Sequence, residues 1–525
     1  MLENRIKTNG IDFDATAEVI KEIDVLADKL RKEILESETT VTVSGKSYYV
    51  SEANGNDDND GLSEASPWKT LKNVNEGPVT YHDGVFFERG GTYRGMIKCR
   101  AGVTYSAYGK GAKPRICGSP ENGADASKWT LMEGTTNIWV YETKMQDVGL
   151  IVFNEGECHS VKRIPSYVNG RYVKRYQRDV EFDIKRDLAN DLDHFCKQDG
   201  KLNPDGFPDI NDPENLATVY LRCDKGNPGE VFSSIEFSTR HNVVAVGGWF
   251  HVHVDNLAIV YGGNHGVGAG TCTGLHVTNC YFGWIGGAIQ FYANRPDTTG
   301  HGQVVRFGNA IEIYGGCDDY ICDHNYIFQA YDAGMTHQLS AGGENDCRQK
   351  NIRYTNNLVE YCTYSLEYFL GQPSSVLGVR FQQNILVKDN IFRYAGFGFG
   401  EQRPESDTYF PAAHVKGWDH FNPLDENYVY EGNIFDRSRN MMIHCGAGKK
   451  QWLPKFRNNI FVQYLNGEES TLGRYAQNRT ELIPYDENVR KVCDDMDFNT
   501  EGGLYFARKD ELYDLPDFTP KSARD

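Results

Sequence analysis

One phrase returns seven times between Val254 and Phe461: a few β-formers, an Asn, then another apolar β-run. It reads Val254-Asp-Asn256-Leu-Ala-Ile, Val277-Thr-Asn279-Cys-Tyr-Phe, Asp323-His-Asn325-Tyr-Ile-Phe and Thr355-Asn-Asn357-Leu-Val. It continues as Lys388-Asp-Asn390-Ile-Phe, Glu431-Gly-Asn433-Ile-Phe and Arg457-Asn-Asn459-Ile-Phe. Asn256 to Asn279 is 23 residues, and Asn279 to Asn325 is 46, which reads as two such steps. Later steps of 32, 33, 43 and 26 fit coils with inserted loops. A fixed period with loop-sized departures marks a solenoid. Each period holds short β-runs and no room for a long helix, so the expected class is all-β, a parallel β-helix. Asn suits the repeated corner because it tolerates left-handed backbone angles, and stacked Asn side chains can hydrogen-bond as a ladder.

A formal net charge of −18 argues against nucleic acid and anionic membranes as partners, since both need basic patches. It also disfavours a polyanionic substrate unless a cation bridges. No apolar run approaches membrane-spanning length, and the first residues, Met1-Leu-Glu-Asn-Arg-Ile, lack the apolar core of a secretory leader. Thirteen cysteines without framework spacing suggest buried thiols in a reducing compartment. The expected location is the cytoplasm.

Residues 1–40 contain a helix over Asp14–Glu38 with Val19, Ile23, Leu26, Leu30 and Ile34 on one stripe, which must bury against something. Covering the solenoid end and pairing with a second copy are both open, with homo-oligomerisation favoured. Residues 41–118 read as a cap and first coils. In Asn54–Gly61, Asn56, Asp58 and Asp60 carry part of a calcium-loop spacing, but without the distal bidentate Glu an Asx-rich turn is favoured. Residues 119–236 break the rhythm and read as an inserted segment, rich in charge pairs such as Lys162-Arg163 and Lys174-Arg175. Residues 237–465 form the main β-helix, and 466–525 a polar tail wrapping its end.

Tyr48–Ser51, the Asn/Asp/Gly turn, Pro67-Trp-Lys-Thr-Leu71, Arg89-Gly-Gly-Thr-Tyr93 and Gly109-Lys-Gly-Ala-Lys-Pro114 together resemble the opening segment of right-handed parallel β-helix carbohydrate-active proteins of the pectate-lyase-like superfamily. The resemblance covers most of Tyr48 to Phe461 and implies a right-handed helix with a saccharide substrate.

Chemistry needs an exposed strand face. Alternate strand residues point inward and outward. Aligning Ala288–Tyr292, Ala310–Tyr314, Gly334–Gln338 and Ser365–Phe369 puts Ile289, Ile311, Met335 and Leu366 in the core. It places Gln290, Glu312, Thr336 and Glu367 outward, with Tyr292, Tyr314, Gln338 and Phe369 beside them. Carboxylates, amides and rings on one face suit a sugar chain. Asp332 enters at the corner of the intermediate coil, so three acids converge. Glycosidases need two, and crowding drives carboxyl pKa values apart. The expected working pair is Asp332 with Glu367, Glu312 being an alternative partner or a substrate ligand. The stretches Gly308–Glu312, Tyr331–His337 and Tyr364–Phe369 also resemble β-helix glycoside hydrolases, including the β-xylosidase type, in which an Asp and a Glu on adjacent coils do the chemistry; that implies the same two residues.

His337, inward but beside Asp332, is either a core imidazole or a site residue. Glu401 and His444 are binding candidates from later coils. The loops 372–377 and 404–423 could wall the groove, the second with Tyr409, Phe410, Trp418 and Phe421. His251, His253 and His276 have a spacing that could bind zinc, but stacked surface imidazoles need no metal. No metal or cofactor is expected. The leading reading is a glycoside hydrolase acting on plant-type oligosaccharides. A polysaccharide lyase is the alternative, disfavoured because the outward ladder carries no Lys or Arg. A non-catalytic carbohydrate-binding β-helix is the third reading.

Overall fold

The computed structural model describes residues 13–175, 177–198, 200–292, 304–339, 347–370, 380–403, 412–420, 427–447, 454–465, 471–475, 481–484 and 501–508. Three long sheets of mainly parallel strands wind round one axis, one strand of each per coil. The corner sheet runs from Ser47–Val50 to Lys455–Arg457, the back sheet from Thr92–Arg94 to Gly503–Arg508, and the site sheet from Ile97–Lys98 to Glu481–Pro484. The chain is a parallel β-helix with an N-terminal helix, α1 (Phe13–Glu36).

The recurring Asn-Ile-Phe phrase divides its labour residue by residue. Asn325, Asn357, Asn390, Asn433 and Asn459 are fully buried and form a ladder, each Nδ2 donating to the Oδ1 of the next at 2.8–3.0 Å. The residue before each is left-handed: His324, Asn356, Asp389, Gly432 and Asn458 all have positive φ. In the first two coils Asn256 and Asn279 occupy that left-handed place themselves, and Cys280 stands where the ladder Asn would be, donating its N–H to Asn325 Oδ1. Corner tolerance and ladder formation are thus split between neighbours. The Ile then lies on the outer back sheet and the Phe inside. Ile116, Ile259, Phe282, Ile327, Val359, Phe392, Phe435, Phe461 and Leu504 share one inward register line.

The step from Asn279 to Asn325 is one coil, not two: Thr278 pairs directly with Asp323. The extra length leaves the coil as an antiparallel hairpin, Ile289–Tyr292 against Val304–Arg306. Residues 119–236 are likewise an excursion, because Arg115 on one side of them pairs with Ala258 on the other. They build their own small sheets and an apolar core around Trp129, Tyr141 and Ile235, closed by Phe237 of the next residues. The part after residue 465 adds further rungs: Thr471–Tyr475 extends the site sheet and Gly503–Arg508 the back sheet.

The stripe of α1 is used within the chain. Ile20, Ile23, Ala27 and Ile34 cover the outer back-sheet residues Tyr326, Leu358, Ile391 and Ile434, whose apolar character would otherwise be exposed. In the Asn54–Gly61 turn, Asn56 and Asp60 accept local N–H groups, and Asp57 caps Lys69 and Thr70.

Candidate active site

The outward register line of the site sheet passes through Ala245, Gly268, Glu312, Thr336, Glu367 and Lys416. The pairings Ala245↔Gly268, Gly268↔Glu312, Thr336↔Glu367 and Glu367↔Lys416 fix it, with Ile311↔Met335 setting the step between Glu312 and Thr336. The two residues before the first acid are small, and the Asn242 side chain fills the place a Cβ on Gly268 would take. A cavity of about 570 Å³ opens there, lined by Glu312, Asp332, Glu367, Lys416, His265 and Asn309, with Gln290, Tyr314 and Gln338 at its sides. The three acids of the sequence reading do converge. Glu312 and Glu367, two rungs apart, have backbones roughly 10 Å apart at about 4.8 Å per rung, and Asp332 enters between them.

Their environments differ. Asp332, 9% exposed, is gripped through both oxygens by the Arg403 guanidinium at 2.6 and 2.8 Å. Burial pushes its carboxyl up, but Arg403 and then Lys416 outweigh that and hold it at about 2. Glu367, 6% exposed, meets Lys416 Nζ at 2.6 Å. Burial raises its carboxyl pKa and Lys416 opposes the rise. Burial also disfavours the Lys416 ammonium, yet Glu367, Tyr364 and Asp332 more than compensate and leave it raised. We read that pair as charged, since the lysine sits beside anions and over the Tyr364 ring at 4.3 Å. Glu312, 5% exposed, has no cation against it among the described residues. Its Oε2 accepts from Asn309 Nδ2 at 2.6 Å and Thr336 Oγ1 at 2.5 Å. Burial nevertheless lifts it to about 8. Among the described residues the three carboxylates face two cations, and Glu312, the acid without one, is the acid held near 8, with Asn309 and Thr336 donating to Oε2 and not to Oε1.

His265 accepts the Asn309 backbone N–H through Nδ1, and burial lowers its pKa to about 4. A neutral ring bonded that way carries its proton on Nε2, as a donor.

Several candidates lie elsewhere. Gln290 reaches the cavity edge, but from the hairpin and not from the ladder. Tyr292 belongs to the hairpin's own packing, stacked on Phe207 at 5.8 Å, because the 46-residue step was one coil. His337 is fully buried between the hydroxyls of Tyr354 and Tyr428: a core imidazole, not a substrate ligand. Glu401 pairs with Arg439 and does not line the cavity; its neighbour Arg403 is the residue of that turn that reaches the acids. Gln338 is placed as expected, between Tyr314 and Phe369 on a second outward line. Trp418 pairs with Phe369 through its backbone, and its side chain lies outside the described residues, as do 372–377, Tyr409, Phe410 and Phe421. His444 follows Lys416 one rung on.

Lys416, Arg403, His265 and Asn309 were missed. Lys416 occupies the next rung of the same ladder, and extending the register by one coil would have found it. Arg403 comes from a separate turn and leaves no periodic signal. His253 bonds Thr278, and His251 bonds Tyr81. Among the described residues no group of three or more His, Cys, Asp or Glu is arranged to hold a metal ion.

No family model matches the chain. A lacto-N-biosidase of Bifidobacterium longum subsp. longum is 41% identical over 105 residues, 17% of this chain and 6% of that protein, so the chain spans only a small part of that curated relative. The solved xylose complex of XylC aligns with a TM-score of 0.36 at 11% identity, covering 88% of this chain and 82% of that one. A family 136 glycoside hydrolase, the lacto-N-biosidase from Eubacterium ramulus, aligns at 0.35 and 13%, covering 94% and 71%. A family 28 exopolygalacturonase from Yersinia enterocolitica aligns at 0.28 and 10%, covering 89% and 79%.

Proposed function

We propose that this protein is a glycoside hydrolase that cleaves a neutral oligosaccharide, with Glu312 as proton donor and Asp332 as its anionic partner. The observation that carries the reading is the unequal treatment of three acids in one cavity: two neutralised by cations and one left with a proton. Glycosidic cleavage needs that division, a protonated acid at the leaving oxygen and a carboxylate on the other side of the ring. Glu312 Oε1 gives its proton to the departing oxygen. Asp332, one coil away, meets the oxocarbenium-like carbon as nucleophile or through a water. Glu367 and Lys416, an ion pair at 2.6 Å, line the cavity on the adjoining rungs and offer polar groups to sugar hydroxyls. The cavity beside Asn242, Ala245 and Gly268 gives room for a ring, and the half-exposed Tyr314 offers a face to stack on. The working pair therefore moves from Asp332 with Glu367 to Asp332 with Glu312. The short likeness to a lacto-N-biosidase is in the same reaction class.

Lys416 and Arg403 favour a second reading, a lyase acting on uronates, since such chemistry uses Lys or Arg beside the substrate carboxylate. Two facts weigh against it. Both cations already face carboxylates of the protein, and a lysine with a raised pKa is a poor base. The test is to screen wild type, Glu312→Gln, Asp332→Asn and Glu367→Gln on aryl glycosides, neutral oligosaccharides and uronate oligosaccharides. Release of reducing sugar with no unsaturated-uronate absorbance is expected. Absorbance growth on uronates would select the lyase, and full activity in Glu312→Gln would remove the assignment of the donor.

A further inference from the structure

The turn that delivers Arg403 is anchored from outside the β-helix. Phe399–Gln402 is a single 3-10 turn, and its Phe399 sits in a small core shared with Leu150 and Val152 of the inserted segment. Gln402 is bound at both ends of its amide to that segment. Its Oε1 accepts the backbone N–H of Lys162 at 3.1 Å, and its Nε2 donates to the carbonyl of Ser160 at 2.8 Å. The side chain thus pairs with a strand edge as a backbone rung would. The edge is itself held firmly: buried Lys162 Nζ contacts Asp147 at 2.5 Å and the Val148 carbonyl at 2.7 Å. The second oxygen of Asp147 accepts the N–H of Ile289 at 2.7 Å, at the base of the hairpin that brings Gln290 to the cavity.

We infer that Gln402 is a positioning residue through which the inserted segment 119–236 sets the contact between Arg403 and Asp332, making that segment part of the active-site framework. This rests on the hydrolase reading above. The charged and titratable groups facing Asp332 are Arg403, Lys416, His265, Tyr364, Glu312 and Glu367. Of these only Arg403 follows directly on the turn that Gln402 closes, so loosening the turn alters that one contact. Arg403 opposes protonation of both Asp332 and Glu367, and their coupled titration reports its loss as a property of the pair.

The experiment compares wild type, Gln402→Ala and Gln402→Asn on the best substrate found. For Gln402→Ala, kcat is expected to fall about tenfold or more with KM within about twofold, because a small misplacement of a reacting group costs rate more than binding. The acid limb of the pH profile should move up by about one unit, a roughly tenfold change in protonation. Gln402→Asn, too short to reach both partners, should fall between. An unmoved acid limb, whether kcat is kept or lost together with melting temperature, overturns the inference. A crystal structure of Gln402→Ala decides it independently of any activity. Departure of the Arg403 fork from Asp332 supports the role, and an intact fork overturns it even if the hydrolase reading stands. Absence of glycosidase activity in wild type would sink only that reading.

Discussion

Two clusters of buried charge sit on this β-helix, one on the site sheet and one on the back sheet beneath α1. Under the helix, Arg31, Arg393 and Arg437 face Asp24, Glu360 and Asp436. Arg31 meets Glu360 at 2.8 Å, Arg393 meets Asp436 at 2.9 Å, and Arg437 meets Asp436 at 2.7 Å. Burial pushes Asp436 up, but Arg437 and Arg393 more than reverse this. Each acid there has an arginine against it, the exposed Asp28 on Arg31 included, and all three arginines are raised. In the site, three carboxylates have two cations and open on a cavity. The first arrangement ties an N-terminal helix to a sheet. The second keeps one acid without a cation near neutrality, the state that the proposed proton donor needs.

The comparison can be broken most severely at Glu312. Replacing it by Gln keeps shape and hydrogen bonding while removing the proton. Activity should drop by about a hundred- to ten-thousandfold, the range for a lost general acid, with the melting temperature preserved. Parallel kinetics and thermal melts check this, and a loss of both would make Glu312 merely structural. Arg393→Leu tests the other cluster. It leaves Glu360 with Arg31 alone and Asp436 with Arg437 alone, and breaking that buried network should cost about 3 kcal/mol of stability, measured by denaturant unfolding, while folded molecules retain kcat. A smaller effect follows from pH. In the proposed role Glu312 works in its acid form, so kcat/KM should fall as pH rises through about 8, roughly tenfold per further unit, and Glu312→Gln should lack that limb. The mildest is Tyr314→Ala. Losing one stacking face should raise KM about fivefold, near 1 kcal/mol, and leave kcat unchanged.

The sequence made the coil legible because periodic burial is a local signal. The Ile311, Met335 and Leu366 core positions and the Glu312, Thr336, Glu367 outward line follow from strand alternation alone. What misled was length. A 46-residue step looks like two coils, whereas a hairpin leaving one coil has the same length, and Gln290 and Tyr292 were misplaced with it. Arg403 was hidden for another reason: it belongs to a turn fixed by tertiary contacts to a distant segment, and no spacing in the chain records that. The apolar stripe of α1 was plain, but not its target, since the back sheet shows its outward Ile residues only once the Asn corner is resolved into two places.

The amide ladder has a further consequence. Each rung hands a hydrogen bond forward to the next amide and another back to a carbonyl of the coil below, as Asn357 does to Cys322 and Asn390 does to Tyr354. A strand displaced by one residue would forfeit both at once. Each turn from Asn325 to Asn459 is therefore indexed against its immediate neighbours, and a slip in one does not pass unnoticed to the next. An acid on one turn and a base several dozen residues later keep their mutual aim although nothing in the chain connects them directly.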